Sequence, residues 1–253
     1  MAKSKHYYIR KSHRYLGVIL GVQFLLWTIS GLYFSWTDID EIHGDFQHQH
    51  VPRLSGQIQL ASPDSVLKQV GDIDSIHSFT LINILGVPHY SLAYYSNGKP
   101  VKVLANASTG RIRNPINKNE AIEIASSNFN GEPKIEKVEY LTSTHGHHEY
   151  REKPLPAWAI TFDHSTNTTV YVSSEIGRVE SFRNNKWRLF DFLWMTHTMD
   201  YKGRDDINNW LLRAFSLFGL LTVLSGFILF WVSSKKFKGK RRSISVPNTN
   251  AVR

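Results

Sequence analysis

The chain has no cysteine among its 253 residues. Disulfides, thiolate metal sites and cysteine nucleophiles are therefore excluded. Any exported part must be held together by its own core. Phosphate-binding glycine loops are missing too: there is no G-x-G-x-x-G after a strand and no Walker pattern, so no nucleotide or flavin site is evident. Neither G-x-S-x-G nor H-E-x-x-H occurs, which leaves hydrolysis without support.

Charge is missing from two long stretches. Tyr15–Trp36 contains no Asp, Glu, Lys or Arg. As a helix rising about 1.5 Å per residue it reaches roughly 33 Å, enough for a hydrocarbon core of about 30 Å. Ala214–Val232 is a second such run, extending back to Trp210 if Arg213 reaches out of the membrane. The first run is too long for the h-region of a cleaved leader, and Phe34-Ser35-Trp36-Thr37-Asp38 offers no small-x-small site, so a retained helix is expected. Lys3, Lys5, Arg10, Lys11 and Arg14 precede the first run; Lys235, Lys236, Lys238, Lys240, Arg241 and Arg242 follow the second. The opposite flanks are acidic or mixed: Asp38, Asp40, Glu41 and Asp45 on one side, Arg204, Asp205 and Asp206 on the other. The expectation is two cytoplasmic termini in a bacterial inner membrane, with residues ~38–208 in the periplasm. Much of the net charge of +9 is then a topology signal, and nucleic acid is not an expected partner.

The middle of the chain is duplicated. Residues 101–113 read VKVLANASTGRIR and residues 168–180 read TTVYVSSEIGRVE. Each is a β-rich run, a polar turn, then Gly-Arg and a β-branched residue. A hairpin with glycine at positive φ fits both. A helix precedes each. One opens at Ser62-Pro63-Asp64 and continues to Val70; the other opens at Asn117-Lys118-Asn119-Glu120 and continues to Ala125. Strands are predicted over Ser78–Leu85, His89–Tyr95, Lys134–Thr142 and Ala157–Asp163. The fold class is an α+β membrane protein with two transmembrane helices flanking an extracytoplasmic domain of two repeats. The expected divisions are a tail 1–14, helix 15–36, linker 37–56, repeats 57–115 and 116–186, an interfacial helix 187–208, helix 209–233 and a basic tail 234–253.

On helical spacing, His13, Gly17, Gly21, Phe24, Thr28, Gly31 and Ser35 share one face. Ser216, Gly219, Val223, Gly226, Phe230 and Ser233 do the same on the second helix. Small residues let helices approach closely, so packing explains them without further function. His13 taken alone reads as a basic residue at a membrane border. His197, in WRLFDFLWMTHTMDY, taken alone reads as a surface histidine on an interfacial helix. Asp191 and Asp200 are the expected acceptors for its second ring nitrogen.

Three features carry a family resemblance. The helix–strand unit ending in ASTGRI resembles a PepSY domain. The opening H-x-x-x-G-x-x-x-G followed by ISGLYF, and the return LFDFLWMTHTMD before LLRAFSLFGLLTVLSGFILFW, resemble PepSY-associated transmembrane proteins. The resemblance implies an inner-membrane ferric or siderophore reductase carrying b-type haem, with His13 and His197 as axial ligands and Gly17, Gly21, Gly219 and Gly226 making room for the macrocycle. Longer relatives hold four or more membrane helices in one chain, so two copies are expected to assemble a four-helix bundle. His13 and His197 lie at opposite membrane borders, so one or two haems are expected per dimer: His13 pairs with its copy, or His197 with its copy, or both. The implied substrate is ferric iron or a ferric chelate. Electrons would come from a cytoplasmic or membrane donor. The remaining histidines fall outside the apolar runs. Glu41 with His43, and His145, His147 and His148, are candidate ligands for exchangeable iron, although a polar loop explains each group equally well. His48 and His50 are alternative outer haem ligands. The competing reading is non-enzymatic: a membrane-tethered binding, regulatory or metal-capture module.

Overall fold

The computed structural model describes residues 5–49 and 52–233. The basic segment after Ser233 lies outside them, as does His50. In chain order the helices are α1 (Lys5–Trp36), α2 (Ile39–His43), α3 (Pro63–Leu67), α4 (Lys118–Asn128), α5 (Asn185–Thr198) and α6 (Trp210–Ser233). The strands are β1 (Ser75–Ile84), β2 (Val87–Ser96), β3 (Lys99–Asn106), β4 (Ile112–Arg113), β5 (Ile135–Leu141), β6 (Ala157–Phe162), β7 (Thr169–Ser173) and β8 (Val179–Arg183). The chain divides into two compact units: Tyr33–Leu193, and Met1–Leu32 together with Trp194–Arg253.

Tyr33–Leu193 holds two antiparallel meanders of four strands, ordered β1-β2-β3-β4 and β5-β6-β7-β8. The expected duplication is therefore a duplication of structure: α3 precedes one sheet and α4 the other. The Gly-Arg turns do the same work in both. Gly110 N–H donates to the Asn106 carbonyl at 2.8 Å and Gly177 N–H to the Ser173 carbonyl at 3.0 Å. Their φ angles are +70° and +73°, where a side chain is strained. Close approach adds a second reason. A Cβ on Gly110 would lie 2.1 Å from Ser65 Oγ, and one on Gly177 would lie 2.6 Å from Ile84 Cδ1. The second turn thus presses on a strand of the first repeat, and the two repeats share a core. Ile84 and Leu104 of the first sit in one cluster with Ile124, Ile160, Phe162, Val170 and Val172 of the second.

Helix α4 opens with the expected cap. Asn117 Oδ1 accepts from Glu120 N–H at 3.1 Å, and Glu120 Oε2 accepts from Asn117 N–H at 3.0 Å. Its apolar stripe, Ala121, Ile124 and Ala125, is buried. Helix α3 is shorter than the sequence suggests. It ends at Leu67, because Gly71 at φ +77° turns the chain and Gln69 leaves to donate to the Gly110 carbonyl at 2.6 Å. The stretch expected to be a linker is also ordered in part. Asp38 caps α2, Ile42 is buried, and the His48 ring lies 4.7 Å from the Phe182 ring.

The other unit contains the two apolar helices. Arg10–Trp36 and Trp210–Trp231 are long and apolar enough to span a membrane. Val18, Ile19, Val22 and Leu25 on α1, and Phe227, Phe230 and Trp231 on α6, are each more than half exposed. Such a surface is costly in water and at home in lipid or against other helices. The chain is a membrane protein in which two apolar helices flank antiparallel sheets.

Candidate functional site

Helix α1 buries a narrow seam that includes Leu20, Gln23 and Ser30. Gln23, Trp27 and Ser30 follow one face at i, i+4 and i+7. Two polar side chains in an apolar helix need partners, and the end of α5 supplies them. A helix leaves its last carbonyls without intrahelical donors. The Thr196 carbonyl accepts from Gln23 Nε2 at 3.0 Å, and the His197 carbonyl accepts from Trp27 Nε1 at 2.8 Å. The Thr198 carbonyl accepts from Asn209 Nδ2 at 2.9 Å. The last turn of α5 is thereby fixed against α1, and the His197 ring is fixed with it.

Each membrane histidine then meets a serine on another helix. His197 Nδ1 lies 2.7 Å from Ser30 Oγ, and His13 Nδ1 lies 2.7 Å from Ser225 Oγ of α6. His13 and Ser30 are about 25 Å apart along α1 at 1.5 Å per residue. The two imidazoles therefore stand at two separate levels, one ring at each, and one iron cannot bind both.

The glycines divide into two kinds. A Cβ on Gly219 would sit 3.1 Å from Phe24 Cζ, and one on Gly226 would sit 3.7 Å from His13 Cε1. Gly219 lets α6 approach α1 at Phe24, whereas a side chain at Gly226 would make only ordinary contact with the His13 ring. Gly17, Gly21 and Gly31 face nothing within 4 Å. On the face that His13, Gly17 and Gly21 share, the two glycines thus border open space rather than a neighbouring side chain. Gly31, next to Ser30, borders open space as well.

The carboxylates expected beside His197 are engaged elsewhere. Asp191 pairs with Arg151 at 2.8 Å. Asp200 accepts from the backbone amides of Lys202, Gly203 and Asp206 at 3.2, 3.1 and 2.9 Å. Ser30 takes the role expected of them.

Outside the apolar helices the candidate ligands do not converge. Among the described residues no group of three or more His, Asp or Glu is placed to hold a metal ion. Glu41 forms an ion pair with Lys186 and lines a cavity with Phe46 and Asn185. His43 lines a different cavity, of about 380 Å³, with Asp45, His48, Lys153, Arg183 and Trp187. His145 Nδ1 accepts from His147 N–H at 3.2 Å and His148 Nδ1 accepts from Tyr150 N–H at 3.0 Å. Burial lowers the His148 pKa, although Glu149 opposes it. Glu149 itself is committed to Arg188 at 2.7 Å and to the Tyr171 hydroxyl at 2.7 Å. Burial, more than that carboxylate, pushes the Tyr171 phenol up.

A family model, the PepSY-associated TM region, matches residues 2–233. The chain belongs to that family. No curated protein and no solved structure matches it. The family match spans both apolar helices and the two sheets, so the histidine levels and the duplicated sheets belong to one family unit.

Gln23, Trp27, Ser30 and Ser225 were not singled out by sequence reasoning. A signal was present, however. Ile29-Ser30-Gly31 and Leu224-Ser225-Gly226 repeat the same short pattern on the two apolar helices. In each, the serine meets a histidine and the adjacent glycine gives space.

Proposed function

We propose that this chain is an inner-membrane b-type haem protein that passes single electrons across the membrane to external ferric iron or a ferric chelate. The observation that carries the reading is the pair of imidazoles, His13 and His197, each held by a serine at its own level of the helical unit. Each chain supplies one ring per level, so a homodimer would complete two-histidine ligation with a four-helix bundle. The open space at Gly17 and Gly21 supports that arrangement.

A bound haem would supply a one-electron couple. His13 would hold it at the cytoplasmic level and His197 at the periplasmic level. Gly17 and Gly21 would admit the macrocycle, with Gly226 beside the His13 ring. That couple would link a one-electron donor on the cytoplasmic side or in the membrane to external Fe(III), which one electron converts to Fe(II). No proton or group transfer is required. The cavity beside His43 carries Lys153 and Arg183 together with Asp45 and Glu180, a mixed lining whose two cations offer contacts to the oxygens of a chelate.

The test is stopped-flow oxidation. The full-length protein, purified in detergent and reduced with dithionite, is freed of excess reductant and mixed with ferric citrate. The expected result is return of the oxidised spectrum with one ferrous ion trapped per electron lost. A reduced protein that ferric chelates do not reoxidise would overturn the reductase assignment. A purified protein without haem would favour the binding or metal-capture reading instead.

A further inference from the structure

The geometry points to a binding site for a small dicarboxylate in the cavity along β8, with Arg183 as its central contact. The cavity lies within the sheet unit. The inference goes beyond the haem reading and does not depend on it, since binding there needs neither haem nor iron.

The argument starts from how arginines are paired. Four arginines of the sheet unit meet a carboxylate: Arg113 with Glu120 at 2.6 Å, Arg151 with Asp191 at 2.8 Å, Arg178 with Glu180 at 2.8 Å and Arg188 with Glu149 at 2.7 Å. Arg183 is half-buried and has no carboxylate partner among the described residues. The Glu149 carboxylate is taken by Arg188 and by the Tyr171 hydroxyl. What Arg183 receives is backbone. Its Nε donates to the Glu149 carbonyl at 2.9 Å and its Nη1 to the Phe182 carbonyl at 3.0 Å. A guanidinium has five N–H groups, so most of this fork is left without a protein acceptor among the described residues. A charge taken out of water is normally answered by an opposite one. Burial disfavours the charged form of Arg183, with Glu149 opposing, and a bound carboxylate would oppose it further.

The fork is also held in place. The guanidinium lies 4.1 Å from the centroid of the Trp187 ring, which orients its plane. Arg183, Trp187 and Lys153 line one cavity of about 380 Å³, and all five residues of β8 form part of its wall. Lys153 is exposed and makes no ion pair among the described residues. A planar fork matches one carboxylate bidentately, and a lysine supplies a point charge for a second. Val179, Phe182 and Trp187 offer apolar surface to the carbon chain between them. Ser181 of the same wall has a buried hydroxyl with no hydrogen-bond partner among the described residues, which native proteins rarely leave unanswered. The acids of the lining then narrow the class. Glu180 is neutralised by Arg178. Asp45 has no such cation among the described residues, so it repels a compact dianion, whereas a dicarboxylate spreads the same charge over two ends.

The test is titration calorimetry of the full-length protein in detergent with iron-free sodium succinate at fixed ionic strength. Sodium sulfate, of equal charge, is the comparison. The wild type is expected to bind succinate saturably and sulfate more weakly. Arg183→Ala is expected to lose about 10- to 100-fold in affinity, the range of charge-assisted hydrogen bonds. Arg183→Lys keeps the charge without the fork and should fall between the two. Lys153→Ala, an exposed change that should leave the thermal midpoint alone, is expected to lose about 2- to 5-fold. Arg111→Ala removes an exposed arginine outside the cavity and should change nothing. If Arg183→Ala does not fold, Arg183→Lys and Lys153→Ala decide. No saturable heat at millimolar succinate, sulfate bound as tightly as succinate, or equal losses in Arg111→Ala and Lys153→Ala would each overturn the inference. Reoxidation of the reduced protein by ferric citrate with no succinate binding would overturn it and leave the haem reading standing. Succinate binding by a colourless protein would support it while the haem reading falls.

Discussion

His13 and His197 of the helical unit and His145 and His148 of the sheet unit face opposite kinds of partner. His145 and His148 accept backbone N–H groups at Nδ1, so in the neutral ring the proton is on Nε2. His13 and His197 instead turn Nδ1 toward serine oxygens whose hydrogens are drawn to carbonyls. One set has its lone pair occupied by the loop that carries it. The other sets the same nitrogen against a serine of a different helix. A count of histidines weights the His145–His148 loop, with three of them in four residues, above isolated rings at 13 and 197. The hydrogen bonds reverse that weighting.

The largest expected effect separates the two sets directly. His13→Ala and His197→Ala should each remove the haem signal of one level. Replacing His145, His147 and His148 together by Ala should leave absorption and haem content at wild-type values. Equal loss in all three variants would erase the contrast.

A smaller effect tests what holds the sheet unit together. Gly177→Ala places a methyl against Ile84 at a φ of +73° and should destabilise the full-length protein by about 1–3 kcal/mol. The change should appear as a lower thermal midpoint of the sheet signal, with the haem spectrum at low temperature unchanged. Loss of haem without loss of thermal stability would contradict the separation of roles.

The smallest effect is electrostatic. Burial alone would raise the Glu120 carboxyl, but hydrogen bonds from Arg113 and the Asn117 N–H outweigh it and hold it below its usual value of 4.5. Because the folded value is the lower one, its contribution is present above about pH 4.5 and is lost as pH falls below that. Glu120→Gln should cost about 1 kcal/mol at neutral pH and flatten the acid limb of the stability curve, read by denaturant titration at several pH values. An acid limb identical to wild type would remove Glu120 from the account.

Much of the architecture was legible in the sequence because each signal there is local. Two charge-free runs gave two long helices, paired Gly-Arg turns gave two meanders, and Asn117–Glu120 marked the opening of α4. The site was legible only in part. Small residues on a membrane helix read alike whether a neighbour fills the space or nothing does, so Gly17 and Gly219 looked equivalent. The structure separates them, since only Gly219 meets a side chain. Ser30 and Ser225 were absorbed into the same small-residue pattern. Their partners lie far along the chain, and spacing within one helix carries no information about them. The carboxylates Asp191 and Asp200 were attractive because they are close in sequence to His197. Arg151 and the loop after α5 claim them instead.

The central claim is that the two isolated imidazoles are cofactor ligands. Its most direct test is the reduced-minus-oxidised absorption spectrum of the full-length wild-type protein purified from haem-sufficient cells, with haem quantified per chain. The account predicts a red protein with a b-type spectrum and dimer-sized particles carrying haem. A colourless preparation with no haem extracted would contradict it.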